Sequence, residues 1–277
     1  MKLSIGFSPC PNDTFIFDSL VNGKLKMDGL ELDVFMEDVQ TLNNWGIEGR
    51  LDVSKISYGV FPLVTEQYSV LPAGGAMGKG VGPLLITASQ ETINVDNSVV
   101  AIPGINTTAH LLFSLAYPNA TNKKFLLFSE IEDAVLNDEV DLGVIIHENR
   151  FTYSEKGLKK VVDLGDYWEK ETGLPIPLGC IAMKRSIPVN VHQKLNSLIK
   201  ESINLSYQNY PRISNYVREH SQEMSEQVML QHIDLYVNEF SLDPGDTGRK
   251  AVAKLMEIYA SIHGKQVAKR DLFSQPV

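Results

Sequence analysis

The sequence is poor in the devices that most often announce a chemistry. Only two of its 277 residues are cysteine, Cys10 and Cys180. No disulfide framework is therefore expected, and a reducing compartment fits. No C-x-x-C and no H-E-x-x-H occurs, so a zinc ion has no motif to sit in. The G-x-S-x-G elbow of serine hydrolases is absent. So is a G-x-G-x-x-G after the first predicted strand, which weighs against a dinucleotide cofactor. Positive charge is also short: the formal net charge is −9. That argues against nucleic acid or an anionic membrane as partner, while a few local cations can still serve a small anionic substrate. No apolar run is long enough to span a bilayer. The amino-terminal run breaks at Pro9, short of a signal peptide. The reading is a cytoplasmic protein with a small-molecule substrate. Two possibilities survive: acid–base chemistry without cofactor or metal, or binding without chemistry.

What is present is an ordinary globular composition, 43% apolar and 21% charged, on a chain long enough for two domains. Lys2 to Phe7 reads as a strand. Ser8-Pro-Cys-Pro-Asn12-Asp13 follows, with Asn12 or Asp13 placed to cap a helix. Leu30 to Phe35 is a second strand, Glu37 to Gly49 a helix, and Leu51 to Ser57 a third strand. This βαβαβ order predicts an α/β class with a doubly wound sheet. Tyr68 to Pro72 and Pro83 to Thr87 read as two more strands. The glycine-rich Gly74 to Gly82 between them reads as a flexible hairpin loop near the ligand or the hinge. It lacks Walker spacing, and no Ser or Thr follows Lys79. Val99 to Ile102 restarts the pattern, with a turn through Thr107 and Thr108, a helix from Ala109 to Tyr117 and a strand from Lys124 to Phe128. Ser129 to Glu132 reads as a capping box.

Leu142 to Ile146 is a short apolar run, the signature of a strand buried on both faces. It stops at His147, and Glu148, Asn149 and Arg150 follow at once. Ligands of open α/β sheets bind at the carboxyl ends of strands, and a neutral histidine there can accept a proton. The bland reading is a local turn with solvated polar groups. Leu51 to Tyr58 and Val140 to His147 line up as repeats, so two similar α/β lobes are expected to face each other across a cleft. From Val189 onward the pattern is helical, with Thr247 placed to cap the last helix. These helices are expected to cover the first lobe, with His192, His220, His232 and His263 as ordinary helix-surface residues. Cys10 is expected to be a packed cysteine.

Several segments together carry a family resemblance: Ser8-Pro-Cys-Pro-Asn-Asp-Thr-Phe15, Lys55-Ile56-Ser57-Tyr58, Gly78-Lys-Gly-Val-Gly-Pro83, Thr107-Thr108-Ala109, Ile146 to Tyr153 and Tyr236 to Ser241. The chain resembles the 1,4-dihydroxy-6-naphthoate synthases of the futalosine route to menaquinone, over essentially its whole length. The resemblance implies a two-lobed type 2 periplasmic-binding-protein-like fold with the ligand cleft between the lobes. Residues 1–95 and 188–277 would form lobe 1, and residues 96–187 lobe 2. It also implies a carbon–carbon lyase that converts cyclic de-hypoxanthine futalosine to 1,4-dihydroxy-6-naphthoate and dihydroxyacetone, with no cofactor. His147 would be the proton acceptor. Lys55, Ile56 and Ser57 would hold substrate from one lobe, Thr107 and Thr108 from the other, with Arg150 a weaker candidate. Two other readings fit the same fold. One is a chorismate dehydratase of the same pathway, disfavoured by the histidine. The other is a non-catalytic solute-binding protein, disfavoured by the short amino-terminal run.

Overall fold

Every residue of Val53–Ser57 and of Leu142–Ile145 is buried, so both strands need cover on two faces. Each lies in the middle of a sheet that helices cover. A computed structural model describes residues 1–221, 225–266 and 271–274. The first sheet holds β1 (Lys2–Phe7), β2 (Glu31–Met36), β3 (Val53–Ser57), β4 (Tyr68–Gly78) and β10 (Ile176–Lys184). The second holds β5 (Leu84–Thr87), β6 (Val100–Ile102), β7 (Lys123–Phe125), β8 (Leu142–Ile145) and β9 (Lys159–Asp163). Their orders are β2-β1-β3-β10-β4 and β7-β6-β8-β5-β9.

The two orders are the same pattern. In each sheet three parallel strands lie side by side, and a fourth runs antiparallel between the third and an edge strand. The register of the repeat agrees with the sequence: Val53 pairs with Ile5 as Leu142 pairs with Val100. In both sheets the antiparallel fourth strand is the one that has crossed over from the other lobe.

That crossing corrects two expectations. Leu84–Thr87, placed by sequence in the first lobe, hydrogen-bonds to β8 and β9 of the second sheet. Ile176–Lys184, inside the 96–187 boundary of the second lobe although its proline-punctuated run reads as chain crossing back to the first, pairs with β3 and β4 of the first. The glycine-rich run is therefore no hairpin. Its first half finishes the long strand β4, and its second half carries the chain between sheets. Arg150 pins this crossover by donating to Gly80 O at 2.8 Å and to Gly82 O. It also pairs with Asp163 at 2.7 Å.

Helices fill in around the sheets. Pro11–Val21 is buried from Pro11 to Leu20, because it lies between the first sheet and the long helix Val189–Asn209. Ser202 of that helix donates to Ile16 O at 2.6 Å. The last helix, Gly245–His263, packs on β10 and on the second lobe's Thr108–Ala116, so the carboxyl-terminal helices are not confined to the first lobe. One buried cluster runs unbroken from Ile56, Tyr58 and Cys180 to Leu112, Leu142 and Trp168. The lobes thus share apolar contact behind the cleft.

Local expectations fail where a tertiary partner wins. Cys10, not Asn12 or Asp13, occupies the N-cap of Pro11–Val21. The Asp13 carboxylate has turned inward to other partners. Ser129 does not cap Ile131–Leu136, and Pro244 rather than Thr247 precedes the last helix. His192 and His232 are buried, not surface residues. His192 is satisfied by Lys184 O at 3.0 Å and Ser274 Oγ at 2.8 Å, a structural role.

Candidate active site

β3 and β8 end at the same cleft. The cavity there is lined by residues of both lobes. His147, Lys55, Ile56, Ser57, Thr107 and Thr108 all line it. The walls are largely apolar, with Val39, Leu42, Val81, Pro83 and Leu178 among them, so a flat ring system has surfaces to lie on.

His147 follows β8 with φ of 56°, in the left-handed region that costs a non-glycine residue energy and often marks a functional position. The twist turns its ring away from the strand and toward the first lobe. Nδ1 lies 3.6 Å from Cys10 Sγ, a contact across the cleft. The ring packs edge-on against Phe128 at 4.9 Å and lies alongside His232 at 6.3 Å and 18°. Burial lowers the pKa of His147. Glu148 and Asp13 oppose that, and Lys55 adds to it. At neutral pH the imidazole is therefore a free base. Cys10, His147 and Glu148 have ligand atoms within 4.8 Å of one another, close enough to share a cation. Burial pushes the Cys10 thiol well up, so with no cation present the sulfur stays protonated.

The first-lobe wall is a network of buried charge. Lys55 pairs with Asp13 at 2.7 Å, and both side chains are almost fully buried. Lys55 also donates to Gly74 O at 3.0 Å. Asp13 accepts from Ser8 Oγ at 2.7 Å and from Asn12 Nδ2 at 2.8 Å. An ammonium has three donors, so one N–H of Lys55 remains after Asp13 and Gly74. Ser57 is fixed by Asn43, which accepts from its backbone N–H at 2.8 Å and donates to its Oγ at 3.0 Å. The hydroxyl proton of Ser57 stays available. Asn43 Nδ2 also reaches Asn106 O at 3.1 Å, tying the first lobe to the loop before Thr107.

On the second-lobe side Thr107 caps the helix Thr108–Ala116 by accepting from His110 N at 3.2 Å, and its hydroxyl donates to Gly104 O at 2.9 Å. Thr108 Oγ1 donates to Leu178 O at 2.7 Å and accepts from Gly59 N at 2.9 Å. Both hydroxyl protons are thus committed within the protein. The first-turn amides, which have no acceptor inside a helix, are what this end offers an anion.

Gly59 shows how tight the seam is. A methyl group on it would stand 2.6 Å from Thr107 C and O and 2.7 Å from Thr108 N. Gly59→Val is expected to force the lobes apart, costing roughly 1–3 kcal/mol and moving Thr107 and Thr108 away from Ser57. Urea unfolding together with the radius of gyration from solution scattering checks this. A variant with unchanged stability and radius would mean that the seam is not as closely packed as its distances indicate.

Sequence reasoning missed Asp13, His232 and Tyr236 as cavity residues, and Asn43 as the residue that fixes Ser57. For His232 there was a signal: Met229, His232, Ile233 and Tyr236 fall on one face of the helix Glu226–Tyr236, and all four are buried.

A family model for menaquinone biosynthesis matches residues 3–261. The chain is 43% identical to the 1,4-dihydroxy-6-naphthoate synthase of Thermus thermophilus over 253 residues, 91% of this chain and 92% of that one. It is 41% identical to the enzyme of the same name from Streptomyces coelicolor over 259 residues, 92% and 91% of the two chains. Among solved structures, a protein of Archaeoglobus fulgidus superposes with a TM-score of 0.89 at 32% identity, covering 95% of this chain and 98% of that one. The periplasmic aliphatic sulphonate binding protein of Escherichia coli superposes with a TM-score of 0.69 at 13% identity, covering 100% and 92%. That last likeness shows the fold alone: two lobes of the periplasmic-binding-protein kind.

Proposed function

The chain belongs to the menaquinone-biosynthesis family, and from that premise we propose that it is a cytoplasmic 1,4-dihydroxy-6-naphthoate synthase. It is a carbon–carbon lyase that cleaves cyclic de-hypoxanthine futalosine into 1,4-dihydroxy-6-naphthoate and dihydroxyacetone, with His147 as general base. The observation that carries the reading is the placement of His147. It is a neutral imidazole at the end of a buried strand, aimed into a cavity with apolar walls.

The protein's own residues divide the work. With its proton on Nδ1, directed at Cys10 Sγ, His147 keeps the Nε2 lone pair for the substrate. It removes a proton activated by a neighbouring carbonyl, and bond cleavage with aromatisation follows. Lys55, Ser57 and the first-turn amides at Thr107 and Thr108 hold the polar ends of the substrate. Closure of the lobes excludes water. The synthases among the relatives support this activity over a dehydratase.

The test is chromatographic. Purified protein incubated with cyclic de-hypoxanthine futalosine is expected to yield dihydroxynaphthoate, while binding without turnover would favour a solute-binding protein. The pH profile adds a second check. His147 acts only when neutral, and burial holds its pKa below the ordinary 6.5. The acid limb of kcat/KM is therefore expected below pH 6.5, with a plateau through neutrality. A limb centred above pH 7 would assign the base to another group.

A further inference from the structure

Two buried polar groups beside the base have no hydrogen-bond partner among the described residues. His232 is 1% exposed, and neither of its ring nitrogens is satisfied. Glu148 Oε2 is also unsatisfied and lies 4.0 Å from His232 Nε2. Buried polar atoms left in this state are costly, and they point to a group that the protein does not itself supply.

The gap has a size and a sense. A separation of 4.0 Å is too long for a direct hydrogen bond. Neither atom is open to solvent as the cleft stands, so an oxygen about 2.8 Å from both ends enters only as the two side chains part to admit it. Burial holds His232 neutral, with His147 and Lys55 adding to the effect, so the ring carries a single N–H. With that proton on Nε2 it donates, while a carboxylate oxygen accepts. A hydroxyl is the group that accepts from one and donates to the other. The surroundings fix the position. His232 lines the cavity, stacks beside His147 and is backed by Tyr236 at 4.6 Å.

We propose that His232 Nε2 and Glu148 Oε2 form a slot for one substrate hydroxyl, on the three-carbon end that departs in the reaction. This rests on the lyase reading above. The ring system of the substrate occupies the apolar walls at Leu42 and Leu178, and its polyol end turns toward His232, next to the base. The slot selects substrates that carry that hydroxyl and orients the bond to be broken against His147.

Turnover of cyclic de-hypoxanthine futalosine and affinity for 1,4-dihydroxy-6-naphthoate separate the possibilities, because the product lacks the three-carbon end. In His232→Phe, kcat/KM is expected to fall about 100-fold, the loss of a buried hydroxyl contact, with product affinity within about twofold of wild type. His232→Gln restores an N–H and is expected to recover about tenfold of the loss. His232→Leu stands in for the Phe variant should that one not fold, as thermal unfolding reports. The slot is overturned if product affinity falls as much as kcat/KM, which would make His232 a packing residue. It is also overturned if kcat/KM stays within about threefold of wild type, which would mean that only a water fills the gap. If unsubstituted protein makes no product, the lyase reading fails first and the assignment of the slot falls with it.

Discussion

Replacing His147 by asparagine is expected to lower kcat by about 10²–10⁴-fold, the range of a positioned acid–base group, with substrate affinity within a few fold of wild type. The backbone makes this substitution clean. Position 147 has φ of 56°, and asparagine is among the few residues that adopt the left-handed region readily. Its amide retains polarity next to Cys10 and Phe128 but has no basic lone pair. A loss confined to kcat means the interaction is made in the transition state. Single-turnover chromatography at saturating substrate, with titration of substrate binding to the inactive variant, measures the two quantities separately. A variant that retains more than a tenth of the wild-type kcat would sink the assignment of His147 as base. Equal losses in kcat and binding would recast His147 as a residue that shapes the cleft.

The fold was legible because its central strands, such as Val53–Ser57 and Leu142–Ile145, are buried on both faces and announce themselves as short apolar runs. The repeat was legible because Leu51–Tyr58 and Val140–His147 share a pattern whose register the sheets reproduce. Pattern does not reveal which sheet a strand joins. Leu84–Thr87 and Ile176–Lys184 have ordinary strand sequences, and their exchange between lobes is decided by pairing partners far away in the chain. The glycine run misled for a related reason. Glycine signals turns, yet Gly74 and Gly75 lie within a strand, where Gly74 leaves room for Ile181 and Ile199. The site divided in the same way. His147 and the ends of β3 and β8 could be placed because strand ends are positions in the sequence. Asp13 could not. A carboxylate two residues into a helix reads as a cap until a buried lysine from another strand takes it. Asn43 gave no sign at all, since its role depends on Ser57 and Asn106 meeting it from two lobes.

Lys55→Met is expected to destabilise the protein by about 3–5 kcal/mol, the usual penalty for breaking a buried ion pair from one side. The Asp13 carboxylate would keep Ser8 and Asn12 but lose its cation in a place that water does not reach. Asp13→Leu strands the ammonium instead and is expected to cost a similar amount. The double variant Lys55→Met/Asp13→Leu removes both charges together and is expected to regain most of the loss, because a well-packed apolar pair at a buried site is often close to neutral. Urea unfolding of the four proteins gives the coupling directly, and a Lys55→Met penalty under about 1 kcal/mol would refute the buried pair. The double variant also separates two roles of the lysine. Holding Asp13 and Gly74 takes two of its three N–H donors, and our proposal gives the third to the substrate. If the folded double variant binds substrate about tenfold more weakly or worse, Lys55 contacts it, as the strand-end position suggested. If affinity is unchanged, Lys55 serves the site by holding the first-lobe wall in place, and anchoring of the substrate's anionic end falls to Ser57 and the amides at Thr107 and Thr108.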